Sequence, residues 1–214
     1  MANLLRVDAS IRTEGSVSRA VADSAVAAWS TEHPGSTVCR RDLTGSPLPA
    51  DAWARAVTAR GVAEPARTAE QRDALALVAV LADEIIAADA LVLASPLYNF
   101  GVSQHTKTWI DLLIADPRLG PGTTVLEGKP ALLVVAQGGG YREGTPRHGW
   151  DHSTAYLERI LGDNFAMDLR SVVADLTLAA VNPAMAHLTT DAEHALAAAH
   201  EEAARHGKSL GAAA

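Results

Sequence analysis

The 214-residue chain is short of the residues that most often announce chemistry, with one cysteine, two phenylalanines and three tyrosines. A single cysteine, Cys39, excludes an internal disulfide and any cysteine-rich metal site, and agrees with a reducing compartment. It sits in the alternating segment from Ser36 to Arg41, a context that predicts a buried structural thiol rather than a nucleophile. Positive charge is also scarce: 18 Lys and Arg stand against 25 Asp and Glu, a formal charge of −7, which argues against a nucleic-acid partner. No apolar run approaches the ~20 residues that a membrane-spanning helix needs. The opening MANLLRVDAS lacks a basic region, a long apolar stretch and a small-residue cleavage site, so a cytoplasmic location is expected. Missing too are the Walker pattern with its lysine, a G-x-G-x-x-G turn and a G-x-S-x-G elbow, which disfavours triphosphates, Rossmann-bound dinucleotides and serine hydrolysis. Small-molecule chemistry in a single domain, residues 1–214, is the expectation that remains.

What is present is an alternation of strand-length apolar runs with helical patterns, which implies parallel strands joined by helical crossovers. Five strands are predicted: Asn3 to Asp8, Ser36 to Asp42, Ala90 to Ser95, Pro130 to Ala136, and Met167 to Ala174. The third and fourth are almost continuously apolar, as central strands covered on both faces should be, whereas the fifth alternates like an edge. Helices are predicted over Ser16 to Trp29, Glu70 to Ala88, Gln104 to Ile114, about Trp150 to Leu161, and Asp191 to about His206, with Gly207 as a stop. Turns fall at Gly45 to Pro49 and Gly61 to Pro65, and a Gly/Pro loop at Leu119 to Gly128. The pattern suits an α/β doubly wound five-stranded parallel sheet in the order 2-1-3-4-5 with helices on both faces. Its ligand crevice lies beyond the carboxyl ends of strands 1, 3 and 4.

Each of those three strand ends carries a distinctive segment. After the first come Ser10, Ser16 and Ser18, hydroxyls gathered where a helix begins, placed to wrap a phosphate or, alternatively, to cap the helix. After the third comes Pro96-Leu-Tyr-Asn-Phe-Gly101, which puts Tyr98 and Phe100, two of the chain's few aromatics, into one loop. That placement suits packing against a flat ring whose rim Asn99 could bond, or a turn whose aromatics cover the core. After the fourth come Gln137 and three glycines, Gly138 to Gly140, then Tyr141. Such a run lets backbone amides approach a ligand, or makes a flexible turn. His148 and His152 stand four apart with Asp151 between them, a spacing that reads as surface residues more readily than as a metal site. His194, His200 and His206 fall on different faces of the last helix and are expected to be solvated.

Taken together the three segments resemble the FMN-dependent NADH-azoreductases, also described as NADH:quinone oxidoreductases, of the flavodoxin-like superfamily. Ser10-Ile-Arg with Ser16-Val-Ser18 looks like that family's phosphate loop. Pro96 to Gly101, continued by Lys107-Thr-Trp-Ile-Asp111, is similar to its most specific signature, and Gly138-Gly139 with Tyr141 to its third flavin loop. The resemblance implies non-covalent FMN, with Ser10, Ser16, Val17 and Ser18 on the phosphate and Leu97, Tyr98, Asn99 and Phe100 on the ring. It places Gln137, Gly138 and Gly139 at the pyrimidine side and Tyr141 beside the substrate, with no residue assigned as catalytic acid. It further implies a homodimer with Trp109 and its neighbours near the interface, and hydride transfer from NADH or NADPH through FMN to a quinone, azo or nitro aromatic acceptor. Two departures bear on the acceptor: Gln137 stands where the family commonly has arginine, and the segment Ala115 to Lys129, which helps roof the family's pocket, is short and lacks aromatics. A flavodoxin-type electron carrier and a family member recruited to a biosynthetic pathway on an aromatic substrate are the competing readings.

Overall fold

The computed structural model describes residues 2–210. Its elements are β1 (Asn3–Asp8), α1 (Val17–Glu32), β2 (Thr37–Asp42), α2 (Ala52–Ala59), α3 (Ala69–Ala87), β3 (Ala90–Tyr98), β4 (Gly101–Val102), α4 (Gln104–Ile114), β5 (Pro130–Ala136), α5 (Thr154–Glu158), β6 (Asp168–Ala174) and α6 (Thr189–Ser209). The sheet runs β2-β1-β3-β5-β6, every neighbour parallel, and the two-residue β4 pairs antiparallel with the end of β3. With β4 set aside this is the expected 2-1-3-4-5 order, and the alternating fifth strand is indeed an edge.

Side chains of β3 alternate between two cores because successive strand residues face opposite sides. Leu91 and Leu93 belong to one core with Leu81 and Ile85 of α3 and Trp109 and Leu113 of α4, while Val92 and Ala94 belong to the other with Val21, Ala25 and Trp29 of α1 and Ala203 of α6. Each large aliphatic side chain buried this way contributes about 1.5–3 kcal/mol. Local signals agree with the packing: Thr68 and Gln71 form a reciprocal capping box at the start of α3, and Ser103 caps α4 through the amide of Thr106. Among the described residues no helix is long and apolar enough to cross a membrane.

Several expectations are corrected. Cys39 is exposed, because β2 is an edge strand whose residues lie mostly outside the cover of the helices. Gly207 does not stop the last helix but lies within it, where a Cβ would stand 2.2 Å from the carbonyl oxygen of Ala25, so glycine there permits close contact between α6 and α1. The helix expected from Trp150 starts only at Thr154, since the carboxylate of Asp151 accepts the amides of Ser153 and Thr154 and fixes the entry there. That helix then widens into a π-helical stretch, Arg159–Asn164. Trp109 is fully buried within the chain, on the inward stripe with Thr106, Ile110 and Leu113, and so offers no surface to a second subunit. His200 is bonded to Ser24 Oγ at 2.8 Å and His206 is half-buried beside Glu202, so neither is freely solvated. Between the two predicted turns the structure adds a short helix, α2, that the sequence reading does not include.

Candidate functional site

The carboxyl ends of β1, β3 and β5 converge on a cleft of about 270 Å³ that brings together Ser10, Ser16, Val17, Ser18, Leu97, Tyr98 and Gly138. Arg12, Gly15, Pro96 and Ala136 complete the near wall, and Thr177, Leu178 and Val181 the far one.

Ser16 is the N-cap of α1, accepting the amide of Arg19 at 3.4 Å, and its hydroxyl lies 3.4 Å from that of Ser18. Capping and ligand reading are therefore not exclusive, because both contacts sit at the long limit of a hydrogen bond and leave the hydroxyls capacity for a better partner. The first-turn amides of Val17 and Ser18 precede any intrahelical acceptor, and the first turn of α1 carries no acidic side chain, so its partial positive charge is uncancelled.

The loop itself is held from below. Ser10 O accepts Arg19 Nη2 and Thr44 Oγ1, each at 2.9 Å, and Arg19 in turn forks onto Asp42 at 2.8 and 3.0 Å. That bond is the main reason the Asp42 carboxyl lies well below the usual carboxylate range and the Arg19 guanidinium is raised; amides of Gly45 and Thr44 add to the first effect. Beneath them Arg6, almost wholly buried, bonds Asp8 at 3.0 Å and reaches Asp23. Buried charges are thus paired.

Tyr98 reaches across the cleft: its hydroxyl accepts the amide of Ile11 at 3.1 Å and lies 3.4 Å from Ser10 Oγ. Beyond it Tyr98 pairs with Gly101, so Asn99 and Phe100 are the two central residues of a hairpin, at φ +49° and +67°. Left-handed backbone at both positions is the geometry of a type I′ turn, and a phenylalanine there is uncommon enough to point to function. Phe100 is braced by Trp150 (5.1 Å between ring centroids), Tyr141 (6.3 Å) and the guanidinium of Arg147 (5.5 Å), and its carbonyl accepts the amide of His152 at 2.9 Å.

The glycine run serves the chain's own packing as well. A Cβ on Gly138 would stand 2.7 Å from Leu178 Cδ1, and the carbonyls of Gln137 and Gly138 accept the amides of Thr177 and Leu178 at 3.0 and 3.1 Å. Residues 176–182 therefore lie across the end of β5, which is how Thr177, Leu178 and Val181 enter the cleft. Their only sequence signal is their position after the last strand.

Not every expected residue lines this cleft. Asn99 is exposed in the hairpin turn, and neither it nor Phe100 nor Gly139 is part of the cleft lining. Gln137 and Tyr141 line a neighbouring cavity of about 440 Å³, where Gln137 Nε2 donates to Asp151 Oδ2 at 2.6 Å. The Ala115 to Lys129 segment, expected near the pocket, lines none of it within one chain. It packs at the opposite, amino end of the strands, with Leu119 and Leu126 in the core and Lys129 bonded to the carbonyls that end α3.

A parallel sheet in this order with its cleft at the strand ends defines a flavodoxin-like protein. The flavodoxin-like fold family matches residues 2–205, and the chain belongs to it. It is 39% identical over 201 residues to an FMN-dependent NADH:quinone oxidoreductase of Frankia alni, covering 92% of this chain and 95% of that one. A protein of the same description from Streptomyces avermitilis is 38% identical over 213 residues, covering 98% and 97%. Among solved structures, an FMN-dependent NADH-azoreductase from Bacillus anthracis in complex with FMN superposes with a TM-score of 0.80 at 19% identity, over 98% of this chain and 99% of that one, a likeness of fold.

Proposed function

We propose that the chain is an FMN-dependent oxidoreductase that passes hydride from NADH, or NADPH, to quinone, azo or nitro aromatic acceptors, as a cytoplasmic homodimer. The names of its relatives in Frankia and Streptomyces support the FMN, the NADH and the quinone. The observation that carries the reading is the meeting of neutral hydroxyls and a helix N-terminus with Leu97, Tyr98 and Gly138 around one cleft. Three serines, two free amides and no opposing carboxylate in the first turn suit a phosphate monoester, and an apolar wall of Pro96, Leu97, Ala136 and Leu178 suits a flat ring. The residues present therefore fit FMN.

Ser10, Ser16, Val17 and Ser18 would hold the phosphate. Leu97 and Tyr98 would border the ring inside the cleft, with Asn99 and Phe100 of the hairpin at its outer rim, and Gln137, Gly138 and Gly139 would face its pyrimidine side through their backbone, with Tyr141 near the acceptor. FMN, when bound, supplies the ring that takes up and releases hydride. The chain's own work is placement. Arg19 and Thr44 hold the Ser10 carbonyl back, so that the loop's hydroxyls and amides face the cleft. Leu178 and Val181 give its far side an apolar surface. No side chain is required as nucleophile, and protons taken up by the acceptor come from solvent.

The test is steady NADH oxidation by the FMN-supplemented protein with menadione and with methyl red. Turnover with either supports the reading. Reduction only in the presence of a separate reductase would assign the chain to electron carriage instead.

A further inference from the structure

Gln137 leaves β5 with its side chain buried and turned away from the cleft. Its amide meets Asp151, whose Oδ1 accepts the amides of Ser153 and Thr154 at 2.8 and 2.9 Å and whose Oδ2 accepts both Gln137 Nε2 at 2.6 Å and Thr154 Oγ1 at 2.5 Å. Between these two residues the chain runs outward as an arm, residues 138–150, carrying Tyr141, Arg147 and Trp150. The arm folds onto Phe100 through two edge-on rings and a guanidinium, and His152 donates to the Phe100 carbonyl just past the arm. One side-chain hydrogen bond therefore joins the two ends of the arm, and the arm braces a ring whose backbone is left-handed.

We propose that Gln137 and Asp151 are a positioning pair, a latch that closes the base of the 138–150 arm and thereby fixes where Phe100 and Trp150 present their rings to the acceptor. A buried primary amide needs a partner, and a carboxylate gives it a strong one, so each group secures the other. Trp150 is still about half exposed while it packs edge-on with Phe100, which leaves part of its ring open to a ligand. The effect on the acceptor rests on the proposed function; the latch itself does not.

The test is hydrogen exchange of the arm amides in the full chain, together with acceptor KM and kcat in the FMN-supplemented protein. Gln137→Ala should speed arm exchange about tenfold, consistent with loss of a charge-assisted bond, while β3 and β5 keep their protection. Acceptor KM should rise severalfold, and by more than any fall in kcat, because orientation at the mouth is lost. Gln137→Glu sets two carboxylates together, so its arm should open at neutral pH and close again on acidification. Arg142 from the arm, and Asp175 and Glu202 from the β6 and α6 side, face the same cavity and are unchanged in these variants. The exchanged pair, Gln137→Glu with Asp151→Asn, reverses the bond, since the amide introduced at position 151 would donate to the carboxylate introduced at position 137 while its oxygen still accepts the helix amides. This variant should restore arm protection and KM at neutral pH. Unchanged arm exchange in Gln137→Ala, or a folded exchanged pair that stays open, would overturn the latch. If the wild type oxidises no NADH, the proposed function fails while arm exchange still decides the latch.

Discussion

The phenol of Tyr98 receives the amide of Ile11 at 3.1 Å, tying the end of β3 to the loop that follows β1. One side chain thereby links the wall of the cleft to the loop proposed to hold a phosphate. Tyr98→Phe keeps the ring and removes the tie. It should weaken FMN uptake about three- to tenfold, the worth of one net hydrogen bond, and weaken riboflavin uptake less because riboflavin has no phosphate. Quenching of flavin fluorescence on titration measures both.

Asp42 contributes to the acid limb of stability. Its carboxyl is held well below the ordinary value of 3.8, chiefly by the bond from Arg19. A carboxyl depressed in the folded state contributes stability that is complete above its unfolded value and lost as pH falls toward the folded one. Asp42→Asn should therefore lower Tm at neutral pH and flatten its fall between about pH 4 and pH 2, measured by thermal melts across that range. A variant whose acid limb is as steep as the wild type's would remove Asp42 from the account.

Gly207 tests the contact of α6 with α1. A methyl group there meets the Ala25 carbonyl oxygen at 2.2 Å and its carbon at 2.8 Å, so Gly207→Ala must push the helices apart. The expected loss is about 1–3 kcal/mol or more, read as a lower urea midpoint. Gly162→Ala, whose new methyl would find Leu169 Cδ2 at 3.8 Å, should be tolerated.

Lys129 closes α3 from a distance. Its ammonium donates to the carbonyls of Ile85 and Ile86, each at 2.8 Å, and to that of Ala88, where no glycine ends the helix. Burial depresses its pKa, but a cation at a helix carboxyl end answers the dipole there. Lys129→Met keeps the stem and removes the donors, and should cost about 1–2 kcal/mol in chemical denaturation.

Much of the sheet was legible because buried parallel strands are written as continuous apolar runs: β1 and β5 begin and end at the expected residues. Beyond Ser95, β3 continues because Pro96 still pairs with Ala136 and the strand then enters a hairpin, a tertiary fact with no local signal. Gly207 misled because a glycine near a helix end has a local meaning, which packing against Ala25 overrides. Cys39 misled because alternation reports a strand without saying whether helices cover it.

At the site, the serine loop and the Pro96–Gly101 segment were legible from their place after strands 1 and 3. The far wall was not, since residues 176–182 reach the cleft only by lying over the glycines after β5. Nor does sequence show that Gln137 meets a residue 14 positions on, because the arm between them has no periodic pattern.

The most direct test of the account is a titration of the flavin-free protein with FMN, followed by NADH without oxygen. Saturable quenching of flavin fluorescence, then loss of the bound flavin's yellow absorbance on adding NADH, is the predicted result. A protein that leaves FMN fluorescence unchanged at every concentration would contradict it.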